Sequence, residues 1–411
     1  MQGISGNKQV AIIGGGAAGF FCAINLAAQR SDLDIHIFEK NQELLGKVKV
    51  SGGGRCNITH QCYDPVELAS YYPRGGKELL GPFHKFQPAD TIEWFEKKGI
   101  DIHAEEDGRM FPVSNSSQTI IDCFMQEATK YNVRIHTGHG LQTLQRNAKK
   151  WMLGFLNGRS FSADALLIAT GSSHHMWKLL TACQHQIVPP VPSLFTFHIQ
   201  DARIYGLMGI SVPEASITLE GSQLETRGPL LITHWGMSGP AVLKLSAWAA
   251  RQMAELQYRF PIRVNFLAAM DTDAFLKWIR EQRSHQPRKH VHNTAPEELP
   301  ARLWKQLCVY SSISEATNWA DLNKHQTETL TLAVTASQFQ VKGKSTFKEE
   351  FVTCGGVKLA QVDMRTMESK LQPGLYFAGE VLDIDAVTGG FNFQAAWTTA
   401  FLAASDIAIK L

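Results

Sequence analysis

Three groups of residues in this 411-residue chain could do chemistry, and they lie far apart in it. The first is Gly14-Gly15-Gly16-Ala17-Ala18-Gly19, a Gly-x-Gly-x-x-Gly pattern whose use depends on missing side chains. Gly14 permits a tight turn, Gly16 lets a pyrophosphate approach the backbone, and Gly19 lets a helix pack closely on a strand. Amides at the helix start, aided by the helix dipole, hold the phosphate charge. A carboxylate is expected about 20 residues further on, accepting from a ribose hydroxyl. Glu39 stands there, after Asp34-Ile-His-Ile-Phe38 and before Lys40. The second group is titratable: His234, Arg109 and Cys354. A histidine ordinarily titrates near neutrality, so His234, before Gly236-Met-Ser-Gly-Pro240, is the candidate acid or base; helix capping is its rival role. Arg109 could bind an acidic substrate or pair with Glu106. Cys354, before Gly355-Gly356, could approach a cofactor or simply pack as a strand-end thiol. The third group is a set of glycine turns: Ser51-Gly52-Gly53-Gly54-Arg55-Cys56-Asn57, Ala169-Thr170-Gly171, Gly379-Glu380 and Thr388-Gly389-Gly390-Phe391-Asn392-Phe-Gln394.

The elements that must position these groups follow from the surrounding pattern. Residues 10–28 carry no charged side chain, and about 20 apolar residues can cross a bilayer. Three central glycines argue against that, since each costs a helix roughly 1 kcal/mol relative to alanine. Val10-Ala-Ile-Ile13 reads instead as a buried parallel strand, and Phe20, Ile24 and Ala27-Ala28 recur at helical spacing. An export signal fits badly, because only Lys8 precedes the run and Gln29-Arg-Ser-Asp32 is no small-residue cleavage site. Strand, glycine turn and helix are predicted.

Forty basic against 38 acidic residues give a net charge of +2, with no electrostatic footprint for nucleic acid. The basic run 283–290 reads as a solvated helix-end loop. Seven cysteines without a CxxC pair point to free thiols in a reducing cytoplasm. No metal site is expected, since the paired or clustered histidines lack partners at ligand spacing. The length predicts two or three domains. Helices are expected at 88–99, 117–130, 272–283, 296–310 and 393–410. Strands are expected at 133–136, 141–144, 151–156, 165–171, 194–199, 217–220, 263–267, 351–357 and 374–380, with β character over 329–340. The proline-rich 188–192 marks a boundary.

A nicotinamide dehydrogenase needs the first βαβ unit but has no use for Leu375-Tyr-Phe-Ala-Gly-Glu380 returning so late. FAD does, because its ribitol and isoalloxazine reach beyond the adenosine end. Glu380 suits a ribitol hydroxyl or the pyrophosphate, and the amides opening the last helix suit the flavin edge where charge accumulates on reduction. Arg55 adds a cation for a diphosphate or a reduced flavin. Cys56 and Cys62 are not spaced as a redox pair, so Cys56 reads as structural. Lys47, Leu141 and Asp383 are expected beside the same cofactor.

These motifs, with Asp107-Gly-Arg-Met-Phe-Pro112 and Thr233-His-Trp-Gly-Met-Ser-Gly-Pro240, occur in order along nearly the whole chain. Together they resemble a bacterial family of FAD-dependent oxidoreductases similar to the bile-acid-inducible flavin reductases, within the glutathione-reductase-like flavoproteins. Lys49 departs from that pattern, where an apolar residue is frequent. The resemblance implies an α/β fold: a discontinuous Rossmann-like FAD domain with an inserted β-barrel-like domain and a helical subdomain. The expected segments are 1–190 and 349–411 for FAD binding, 191–268 and 327–348 for the β-rich insertion, and 269–326 for the helices. The expected activity moves a hydride or electrons between flavin and a small organic substrate. With one fingerprint only, NAD(P)H would be a brief visitor to the flavin face. A flavoprotein acting on RNA, and a non-catalytic redox sensor, are the alternatives.

Overall fold

The computed structural model describes residues 7–147, 149–344 and 352–411. The chain forms two compact units, residues 1–191 with 352–411, and residues 192–351. The boundary expected near 348–349 lies outside the described residues.

The first unit is built on a seven-stranded sheet. Gln9–Ile13 pairs in parallel with Asp34–Phe38 on one side and Ala165–Ile168 on the other. Arg134–His136 extends the first side, and Leu375–Phe377 adds in parallel to Ala165–Ile168. Val10–Ile12, Leu166–Ile168 and Leu375–Phe377 are buried throughout, as continuous apolar runs must be when both sheet faces are covered. The helix Ala17–Gln29 and the helix Phe391–Lys410 pack on each other, with the Phe21 and Trp397 rings 5.1 Å apart. A three-stranded sheet over residues 141–163 packs against the central strands, bringing Phe155 and Phe161 onto Phe38.

The proline-rich passage does more than end a unit. Ile187–Ser193 is a strand paired with Val352–Val357, so the chain leaves and re-enters the first unit through one ladder. Gly355 permits this pairing, because a Cβ there would lie 2.7 Å from the Pro189 carbonyl oxygen.

In the second unit six antiparallel strands form one sheet, from Phe197–His198 at one edge to Ser337–Val341 at the other. The continuation of the last strand returns to the first: His198 donates to the Gly343 carbonyl and Lys342 to the His198 carbonyl, both at 2.9 Å. The sheet thus closes into a barrel-like shape. The helices Thr272–His285, Ala301–Tyr310 and Lys324–Thr335 share one hydrophobic core with it, where Phe275, Trp304 and Leu330 meet Ile217 and Val264.

One expectation fails here. The β character predicted from residue 329 belongs to the strand Ser337–Val341 alone, and 324–335 is helical. Threonine and valine favour strands locally. Asn323 and Gln326 form a capping box, however, and Leu330, Ala333 and Val334 supply a buried helical stripe. Thr327, Thr331 and Thr335 return their hydroxyls to carbonyls four residues back, so none is stranded. Among the described residues no helix is long and apolar enough to cross a membrane.

Candidate functional site

The glycine fingerprint has two closed positions and one open one. A Cβ on Gly14 would lie 2.3 Å from the Ala169 carbonyl oxygen, and one on Gly19 would lie 2.0 Å from the Gly14 carbonyl oxygen. Those two glycines are demanded by the packing of strand, turn and helix. A Cβ on Gly16 would meet nothing within 4 Å. Gly16 opens the Ala17–Gln29 helix in an ordinary extended conformation and no side chain caps it. The first amides therefore face open space with the positive end of the helix behind them. The Glu39 carboxylate accepts from the Gly15 and Asn41 amides, both at 2.9 Å, and sits beside the same turn. The buried Thr170 hydroxyl next to it has no hydrogen-bond partner. An uncapped helix start, an unobstructed glycine and an orphaned hydroxyl are what a phosphate-bearing ligand would use.

The second piece comes from the far end of the sequence. Gly379, at φ +72°, leaves room between the two helices: its Cβ would lie 3.3 Å from Ala18 and 3.6 Å from Ala396. The starts of both helices thus converge on one loop. Glu380 forms an ion pair with Lys47, accepts from the Thr353 amide at 3.4 Å, and has a carboxylate oxygen 3.6 Å from where a Gly171 Cβ would stand.

The Ser51–Asn57 stretch is not a plain loop. It ends the helix Gly46–Gly54, broken by an extended Ser51 and by Gly52 and Gly53 at positive φ. Gly52 packs beneath Phe111, whereas Gly53 and Gly54 have open space where a side chain would be. Asn57 joins this stretch to the 391–410 helix: with its Nδ2 toward the Met110 and Thr59 carbonyls, its Oδ1 accepts from the Gly390 amide at 2.9 Å. Thr59 and Thr91 donate to Gln394 Oε1 at 2.7 and 2.9 Å, and Trp397 donates to the Ile58 carbonyl at 2.9 Å. Residues more than 300 positions apart in sequence are locked together beside the fingerprint.

Other candidates find different partners. Arg109 and Arg55 share the Glu105 carboxylate, at 2.6 and 2.5 Å, and Arg109 also pairs with Asp107, so Glu106 is not its partner. Arg55 lies over the Phe111 ring at 4.0 Å. Phe391 is buried in a cluster with His60 and Tyr71, whose centroids lie 4.5 and 4.3 Å from its own and 5.8 Å from each other. Asn392 clamps both backbone groups of Ala386. Leu141 is buried, and its carbonyl accepts from His175 Nε2 at 2.7 Å. Asp383 donates its backbone amide to the Val357 carbonyl at 3.1 Å. Lys40 and Lys47 are exposed. Cys354 is buried within its strand, and burial pushes the Cys56 thiol up to about 12. A thiol so placed stays protonated and inert. His234 lies exposed in the turn 233–236 of the second unit.

Sequence reasoning missed the Gln394 network and the pair of Arg74 with Asp385, whose carboxylate is fully buried and holds the loop before Gly389. Neither shows a periodicity or a motif; only the fold brings their members together.

The family model described as HI0933-like protein Rossmann domain matches residues 8–406. A ribosomal RNA dihydrouridine synthase of Escherichia coli K12 is 32% identical over 409 residues, covering 96% of this chain and 97% of that protein. A 3-dehydro-bile acid delta(4,6)-reductase of Clostridium scindens is 27% identical over 406 residues, covering 96% and 98%. Among solved structures, 3-ketosteroid delta1-dehydrogenase from Sterolibacterium denitrificans superposes with a TM-score of 0.53 at 11% identity, covering 98% of this chain and 99% of that one. That likeness shows the fold. With a family match spanning both units and relatives aligned from end to end, the chain belongs to the HI0933-like Rossmann family and is a flavin-dependent oxidoreductase.

Proposed function

We propose that the protein uses FAD to reduce a carbon–carbon double bond conjugated with a carbonyl, and that this bond is the ring double bond of uridine in ribosomal RNA. The observation that carries the reading is the end-to-end alignment, at 32% identity, with a ribosomal RNA dihydrouridine synthase. Both relatives' names describe hydrogen added to such a bond, so the reaction class is broader than either substrate. Bound and reduced, FAD supplies a hydride to one carbon of the bond while a proton reaches the other.

The chain's own residues divide the work. The Gly14–Gly19 turn and Glu39 hold the adenine half and the pyrophosphate. Ser51–Asn57, Ala169–Gly171, Gly379, Glu380 and the start of the 391–410 helix hold the flavin half. The uncapped start of that helix, with Gly390 at φ +90°, offers positive charge to a reduced flavin. Arg55 and Arg109, already shared on Glu105, orient rather than react. His234 is the proposed proton donor, and NAD(P)H the transient reductant. A steroid-sized enone is the second reading, favoured by the bile acid relative.

The test reduces the FAD-loaded protein anaerobically and mixes it with deproteinised bacterial ribosomal RNA or with a 3-keto-4-ene steroid. Flavin recolouring by RNA, with a nucleoside heavier than uridine by two hydrogens in the digest, is the expected result. Recolouring by the steroid alone overturns the RNA reading and leaves the reaction class standing.

A further inference from the structure

Three segments of the second unit form one strip of surface. Residues 202–210 form a loop, 233–236 a turn, and Ala301–Tyr310 a helix. The loop meets the turn through Gly209, which donates to the Ile232 carbonyl at 2.9 Å. It meets the helix through Arg302 and Gln306, which donate to the Gly206 and Ala202 carbonyls at 2.9 and 2.7 Å. Large aromatic side chains stand in the open along this strip: Tyr205 is 85% exposed, Trp235 55% and Tyr310 49%. Arg302 and Lys305 are exposed among them.

No aspartate or glutamate occurs in any of the three segments. Asp201, next to the loop, is spent on Arg203, which it grips at 2.8 and 2.7 Å, and the exposed Glu297 and Glu298 precede the helix. That guanidinium is nearly buried, lying 3.9 Å from the Phe339 ring and 5.0 Å from Tyr310. It stiffens the base from which Tyr310 projects. Water-facing aromatics are costly for a free surface. Exposed rings on adjoining segments, with cations beside them, form a stacking platform for unpaired bases with charges for their phosphates.

We infer that this strip binds a single-stranded stretch of the RNA substrate, stacking bases on Tyr205, Trp235 and Tyr310 and holding phosphates with Arg302 and Lys305. The inference rests on the RNA reading above. It explains how a chain with a net charge of only +2 engages RNA: the contact relies on stacking and a local pair of cations, not on an overall field.

The test measures binding of a fluorescent oligouridylate to the FAD-loaded protein across a salt series. Tyr205→Ala with Trp235→Ala should weaken binding about tenfold or more, on the scale of losing two stacked bases. Arg302→Gln with Lys305→Gln should make the salt dependence shallower by about one unit of slope. Reduction of free uridine or of a uridine dinucleotide by these variants should stay at the wild-type rate. Tyr205→Ala alone, at so exposed a position, guards against loss of folding. Variants that bind oligouridylate and modify ribosomal RNA like wild type overturn the strip while the RNA reading survives. A wild-type protein that neither binds nor modifies RNA overturns both. A wild-type dimer that falls apart in the Trp235 variant, with RNA affinity unchanged, makes the strip a self-contact and also overturns the inference.

Discussion

Gly16 and Gly390 look equivalent in sequence, each a glycine before a helix, yet a side chain would have opposite consequences at the two. At Gly390 a Cβ would strike the Thr59 carbonyl oxygen at 2.4 Å with φ at +90°, so valine there breaks the fold before it tests any ligand. At Gly16 nothing stands in the way and the backbone is extended. Gly16→Val should therefore fold and melt like wild type without cofactor while its affinity for FAD falls at least tenfold, about 1.4 kcal/mol or more for lost bonds to a charged phosphate. Calorimetric titration of the apoprotein checks this; full FAD affinity in a folded variant would move the pyrophosphate elsewhere. Glu39→Ala should cost FAD roughly 1–3 kcal/mol and leave FMN binding unchanged, since the contact proposed for the carboxylate is with the adenine half alone. Cys56→Ser should leave reduction at two electrons per flavin in a dithionite titration, because a thiol pushed up to about 12 cannot enter a thiolate cycle. The fingerprint was legible because its glycines answer to local backbone sterics. The partners of Arg109 were not, because Glu105 and Glu106 differ only in which way a strand-end turn points them.

At the scale of elements, the 391–410 helix is the part on which both halves of the candidate site depend. Its amino-terminal turn is tied down by Asn57, by Tyr72 donating to the Phe391 carbonyl at 2.5 Å, and by the buried Gln394. Gln394→Leu removes the shared acceptor of two buried hydroxyls and should lower stability by about 1–3 kcal/mol in urea. FAD affinity should fall with it and recover partly in Gln394→Glu at acidic pH, where a protonated, uncharged carboxyl keeps the acceptor and replaces the Nε2 donor to Thr398. An equally stable leucine variant would show that the hydroxyls find other partners. The helix itself was readable from its apolar run, as were the strands of the main sheet, since periodicity is local. The Gln394 network was invisible because its members come from three segments. The helix at 324–335 was misread because its threonines favour strands until a capping box and a buried face decide otherwise.

Across the whole molecule, acid should act first through the edge of the main sheet. His36 is buried there with Nδ1 3.0 Å from Nε2 of His136, and the two rings stack. Burial, and then the neighbouring His136 and Arg134, pull His36 down from 6.5 to about 4. His136 is lowered too, by burial and then by His139. The folded state thus holds a neutral ring that the unfolded chain would protonate. Its contribution is complete above 6.5 and declines as the pH falls toward 4. The loss over that window should be roughly 1–3 kcal/mol. Urea midpoints followed from neutral to acidic pH should show a slope that His36→Leu flattens; an unchanged slope would assign acid sensitivity to other groups. The chain's discontinuity has a further consequence for its biosynthesis. A ribosome completes residues 192–351 before it makes the strand Leu375–Phe377 or the 391–410 helix. During that interval the four apolar residues of Ala165–Ile168 have no neighbour on one side, and Asn57 has no Gly390 to hold. A nascent chain of this protein therefore carries a raw sheet edge while its inserted unit folds, which makes it a client for holdase chaperones and delays cofactor loading until the polypeptide's late segments emerge.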